Sequence, residues 1–160
     1  MKKSTKKQKK RLKKKNKVPA PHKLRKMIAA DILRYLDILG MNHYRTKIFY
    51  MKFDTEDNTC PGNSTVAAAA TADMRYLNVH IKIYPWLVNQ WKKKLLNDED
   101  IHEIIAHEIS HVATTHMYRL VVSVFKDEGE VKDAFESLTT IIGRLVNEID
   151  RYRKKNKKSA

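Results

Sequence analysis

The sequence predicts an α+β protein: one helix, a small sheet of about three strands, then two long helices, with no repeating unit. Three observations point there. Apolar residues recur at helical spacing early in the folded body and again through its second half. Between these stretches lie short runs rich in aromatic and β-branched residues. The length, 160 residues, suits one domain with a real core and is too short for two large ones.

Leu24, Ile28, Ile32, Leu36 and Leu39 place the first helix from His22 to about Leu39, with Gly40 as its stop. Residues 47–53 (KIFYMKF) read as a strand. Asp54 to Ser64 contains Pro61-Gly62-Asn63 and reads as a loop. A second strand is expected over Thr65 to Thr71, although its alanines favour strand weakly. From Arg75 to Tyr84, Leu77, Val79, Ile81 and Ile83 alternate with Tyr76, Asn78, His80 and Lys82, so one face is core and the other polar. Pro85 ends that strand and opens a short helix through Leu96. Asn97 is a cap candidate, and the acids Asp98, Glu99 and Asp100 suit a helix N-terminus. That helix is expected to reach about Phe125, with a break over Lys126 to Gly129. The last helix then runs from Val131 to Arg153, with Phe135, Leu138, Ile142, Leu145 and Ile149 on its apolar stripe.

Net charge is +15, unevenly spread. Residues 1–26 hold 14 of the 33 Lys and Arg and no acid, and residues 151–160 hold six more. The remaining 13 basic residues, against all 18 acids, leave 27–150 at a net −5. The basicity therefore belongs to the ends: a disordered basic tail over 1–21 and a short basic tail over 154–160, flanking a folded domain over 22–153. Lysine clusters of this kind attract nucleic acid or other anionic surfaces without sequence preference, or act only as soluble extensions. No aromatic residue interleaves the N-terminal lysines, so base stacking is not indicated. The single cysteine, Cys60, can form no internal disulfide. No apolar run is long enough for a membrane span or a signal-peptide core, and a soluble, cytoplasmic protein is expected.

The chemistry lies in His107-Glu108-Ile109-Ser110-His111, an HExxH sequence. Residues four apart on a helix differ by only ~40° around the axis, so both imidazoles leave one face and can grip one Zn²⁺ at ~2.0–2.1 Å. Glu108 can then reach a metal-activated water without being a ligand, as general base. Chance produces this pattern in on the order of one chain in a few hundred, so its surroundings matter. Ile104, Ile105, Ala106, Ile109, Ser110, Val112 and Ala113 are all uncharged. A helix charged only at His and Glu is a buried one, where an unpartnered Glu would be costly.

Over roughly residues 45–153 the chain resembles the zincin metallopeptidases: a strand (Tyr76 to Ile83), a connecting helix, then the HExxH helix. The resemblance implies zinc ligands at His107 and His111, a general base at Glu108, and an edge strand over Tyr76 to Ile83 where a peptide or protein substrate adds to the sheet. Three residues compete for the third ligand. The gluzincin branch takes a Glu from a following helix, which favours Glu136, 25 residues after His111. His116 is ~140° from His111 on a continuous helix and could bind only if the helix broke at Thr114-Thr115. Glu148 lies three turns beyond Glu136. Asp133, Thr139 and Thr140 are candidates to orient a ligand, and Tyr118, Arg144 and Tyr152 to stabilise an oxyanion. His22, His43, His80 and His102 lack partners at ligand spacing.

The expected function is zinc-dependent peptide hydrolysis. The alternatives are an SprT-like nucleic-acid-associated protease, which the tails favour but the absence of zinc-ribbon cysteines opposes, and a catalytically silent zincin-fold interaction module.

Overall fold

The computed structural model of the chain describes residues 20–52, 59–60, 64–73, 75–123 and 128–156. Helix α1 (His22–Ile38) turns Leu24, Ile28, Ile32, Tyr35 and Leu36 into the core. Its end is a Schellman turn: Gly40 takes φ +70, where a side chain would be strained, and Met41 N–H donates to Leu36 C=O at 2.7 Å. Ala20, placed in the basic tail by composition, is buried against the core, so the body begins before residue 22. The rest of that tail, residues 1–19, lies outside the described residues, as do 157–160.

Five strands follow: β1 (Arg45–Tyr50), the short antiparallel pair β2 (Thr59–Cys60) and β3 (Ser64–Thr65), β4 (Ala68–Asp73) and β5 (Asn78–Ile83). The main sheet has the order β1-β5-β4, with β1 parallel and β4 antiparallel to β5. Val79, Ile81 and Ile83 are buried as the alternation predicts, but Leu77 is not. It sits at φ +49 in the turn before β5 and is exposed. The second strand starts three residues later than expected, because Ala68, Ala70 and Ala72 pair with Ile83, Ile81 and Val79. Small side chains here let the neighbouring helix come close. The expectation that residues 76–83 form a sheet edge is overturned: β5 is paired on both sides, and β4 is an edge.

Helix α2 (Pro85–Lys92) begins with Pro85 in its first turn and ends four residues short of Leu96. Helix α3 (Asp98–Val122) opens with a capping box, in which Asn97 accepts from Glu99 and Asp100 while Asp100 accepts from the Asn97 N–H. It packs against α1, β4 and the last helix, α4 (Glu128–Asn156). Ile101, Ile105, Ala106, Ile109 and Val112 are buried, which explains why Glu108 is the only Asp, Glu, Lys or Arg between residues 104 and 113. The break expected over Lys126 to Gly129 is corrected at its end: residues 124–127 lie outside the described residues, but Glu128 and Gly129 already belong to α4. At its other end α4 runs to Asn156, three residues into the segment read as a tail.

The face that α4 presents to α3 differs from the expected stripe. Leu145 and Ile149 are exposed, whereas Thr139, Gly143, Val146, Asn147 and Asp150 are buried. The cause is a close crossing: a Cβ on Gly143 would lie 3.0 Å from the His107 Cα, so only glycine fits there without a shift. Polar residues on this face are paired. Asp31 accepts from His102 Nδ1 at 2.6 Å and pairs with Arg34, which reaches Asp150 at 2.9 Å. Among the described residues no helix is long and apolar enough to cross a membrane.

Candidate metal centre

The regular geometry of α3 carries His107 and His111 one turn apart on the face beneath α4, with their rings edge to face. Their Nε2 atoms lie 3.2 Å apart. Glu136, in the third turn of α4, extends Oε2 to 3.8 Å from His107 Nε2 and 3.7 Å from His111 Nε2. Ligand atoms on a tetrahedron of ~2.0–2.1 Å radius stand about 3.3 Å apart, so these three atoms nearly outline one face of it. His107, His111 and Glu136 thus form a group that could hold a metal ion, three donors where a tetrahedral zinc takes four.

Glu148 is not brought to this point, and the helix break that His116 would need does not occur. Helix α3 runs unbroken through Thr114-Thr115, and both threonines bond back to His111 C=O, at 3.3 and 2.6 Å. The break that His116 needs is therefore absent; its side chain lies outside the described residues. Glu148 lines a cleft of about 410 Å³ with Glu103, His107, Arg144 and Arg151, and is not in the donor group.

Glu108 points to the other side, toward the sheet. Its Oε2 accepts a 2.9 Å hydrogen bond from the Ala70 N–H of β4. Burial pushes its carboxyl up to about 8; the Ala70 bond opposes the rise and Glu136 adds to it. Burial likewise lowers the His111 imidazole, Glu136 raises it and His107 lowers it. A neutral imidazole is the form that binds metal. Ala70 was invisible as a site residue in the sequence, since a backbone donor carries no residue signature.

The expected supporting residues scatter. Thr139 is buried on Thr114 at 3.1 Å and braces the helix pair, whereas Thr140 donates to the Glu136 C=O at 2.9 Å within α4; neither is bonded to an imidazole among the described residues. Asp133 is exposed. Tyr118 stacks edge to face on Phe135 and lines a smaller cleft of about 200 Å³ beside His111 and Glu136. Arg144 borders the larger cleft at His107, and Tyr152 faces outward. His22 and His43 are exposed, and His80 packs on Phe49.

No family model, curated protein or solved structure matches the chain. Fold and site together define an α+β chain with a two-histidine, one-carboxylate group between its two longest helices.

Proposed function

We propose that the chain is a zinc-dependent metallopeptidase of the zincin kind, in its gluzincin-like branch. The observation that carries this is the near-tetrahedral triangle of His107, His111 and Glu136, with Glu108 adjacent to His107 in the chain and its carboxyl held by Ala70 of β4. Two imidazoles, one carboxylate and an open position are the donor set of a catalytic zinc. Bound there, Zn²⁺ would act as a Lewis acid toward a carbonyl and lower the pKa of water.

The chain's own residues supply the rest. Glu108 takes the proton from the attacking water and hands it to the leaving amine. Burial raises its affinity for a proton, which suits holding one for the leaving amine, and a cation at the triad would lower that affinity and favour the carboxylate at rest. Ala70 N–H fixes which oxygen faces the site. An extended peptide adds along β4, the edge strand next to Glu108, while the clefts on either side of the triad take its side chains.

The test uses the full chain. Wild type should carry about one zinc per chain and cleave an unstructured protein such as casein. Glu108→Gln should keep the zinc and lose roughly a hundredfold or more in rate. Full activity in that variant would remove Glu108 from the chemistry, and a wild type without stoichiometric zinc would end the proposal.

A further inference from the structure

Helix α4 has a second apolar stripe, opposite its packed face. Leu138, Ile141, Leu145, Ile149 and Tyr152 fall within ~40° of one line at ~100° per residue, while Glu136 and Gly143 lie on the far side of the helix. Leu138 is half-buried; Ile141, Leu145, Ile149 and Tyr152 are 54%, 52%, 43% and 67% exposed. Isolated exposed apolar residues are ordinary, but a row along four turns of one helix is an association surface.

The spacing of the row says what covers it. Ile141 and Ile149 stand four residues either side of Leu145, and Leu138 and Tyr152 seven. Read from either end the steps are three, four, four, three. A second α4 laid antiparallel about a two-fold axis at Leu145 therefore sets Leu145 on Leu145, Ile141 on Ile149 and Leu138 on Tyr152. An isologous contact requires such self-complementarity.

The charges agree. Arg144 and Glu148 border the row on one flank, and the same two-fold brings Arg144 of one copy toward Glu148 of the other, twice. Within the chain the ion pairs of α4 use Glu136, Asp150, Arg151, Arg153 and Lys154; neither Arg144 nor Glu148 is in one among the described residues. Acids concentrate in the first turns of α4 and bases in the last, so antiparallel pairing also sets unlike ends together.

We infer that the outward face of α4 is the interface of a homodimer, two copies packing α4 against α4 antiparallel about Leu145. The apolar row itself lies on the far side of α4 from Glu136, while Arg144 and Glu148 also line the cleft at His107, so Leu145→Glu is the variant that tests the dimer apart from the proposed chemistry.

Sedimentation of the full chain should give twice the 18.7 kDa chain mass. Leu145→Glu, which sets two carboxylates on the axis, should weaken the dimer at least tenfold with unchanged circular dichroism and metal content. Arg144→Glu should weaken it several-fold, and adding Glu148→Arg should restore it. In a Cys60→Ser background, Leu145→Cys should cross-link to itself through a short thiol reagent. Ile141→Cys should do so only when mixed with Ile149→Cys, which reports register even if Leu145→Glu fails to fold. A single-chain mass at high micromolar concentration overturns the inference, as does a dimer indifferent to these changes. Binding of a monomer to anionic lipid vesicles through the same row also overturns it, making the occupant a membrane.

Discussion

Glu136 is half exposed and looks like a surface residue until its distance to two imidazoles is measured. On the proposed reading that it is the third donor, Glu136→Gln should weaken zinc about tenfold or more, since losses even one step removed from the metal cost that much. Zinc titration of Glu136→Gln, His116→Ala and Glu148→Gln separates the three candidates. If only His116→Ala loses metal, α3 must break near Thr114 in solution and the donor triangle is wrong. Gly143 is a second residue whose role is positional. Gly143→Ala must push α4 away from the His107 backbone, costing about 1–3 kcal/mol in thermal or denaturant unfolding. It should weaken zinc as well, by moving Glu136 relative to the histidines. Unchanged stability and metal affinity would show the crossing to be looser than the 3.0 Å approach implies.

Between elements, α1, α3 and α4 are clasped by Asp31, His102, Arg34 and Asp150. Burial pushes the Asp150 carboxyl up, but Lys154 and Arg34 together outweigh it and hold the group below its ordinary value of 3.8. A carboxyl whose folded pKa is depressed binds protons more readily unfolded. Its contribution is therefore complete above about 3.8 and is lost as pH falls through the lower folded value. Arg34→Ala should move the midpoint of acid unfolding to higher pH, and Asp150→Asn should abolish that part of the pH dependence. Acid unfolding that ignores both changes would locate the acid-sensitive contacts elsewhere. The capping box of α3 works at the same scale: it fixes the first turn from which His107 and His111 are counted.

For the whole molecule, charge is divided between an acidic body and basic ends. Deleting residues 2–18, which stops short of buried Ala20, should leave the melting temperature nearly unchanged. It should also remove salt-sensitive binding to DNA or RNA, because the phosphate attraction rests on those lysines. Filter binding across a salt series reads the second effect. A truncated chain that melts much lower would show the segment to be packed on the body. Retained, salt-sensitive binding would assign the attraction to residues 151–160 instead.

The elements were legible because their signals are local. The period of α1's apolar residues, the alternation of Val79, Ile81 and Ile83, the caps at Asn97 and Gly40 and the i, i+4 histidines each need only neighbouring residues to be read. The meeting of Glu136 with those histidines was anticipated by resemblance, but only the tertiary structure, by laying α4 back along α3, measures the distances. Strand order was not legible, because Ala68 to Asp73 looks like a poor strand until β5 pairs with it; that pairing makes β4 an edge and brings Ala70 N–H to Glu108. Nor was the packed face of α4, since its large apolar residues share one arc of the helix while the buried face carries Thr139, Gly143, Asn147 and Asp150. Leu145 and Ile149 follow the same helical period as a core stripe, yet Gly143 and Thr139, small residues on another side of the helix, decide which side α3 can approach. Periodicity says that a helix has an apolar face; close packing decides which face the rest of the chain can reach.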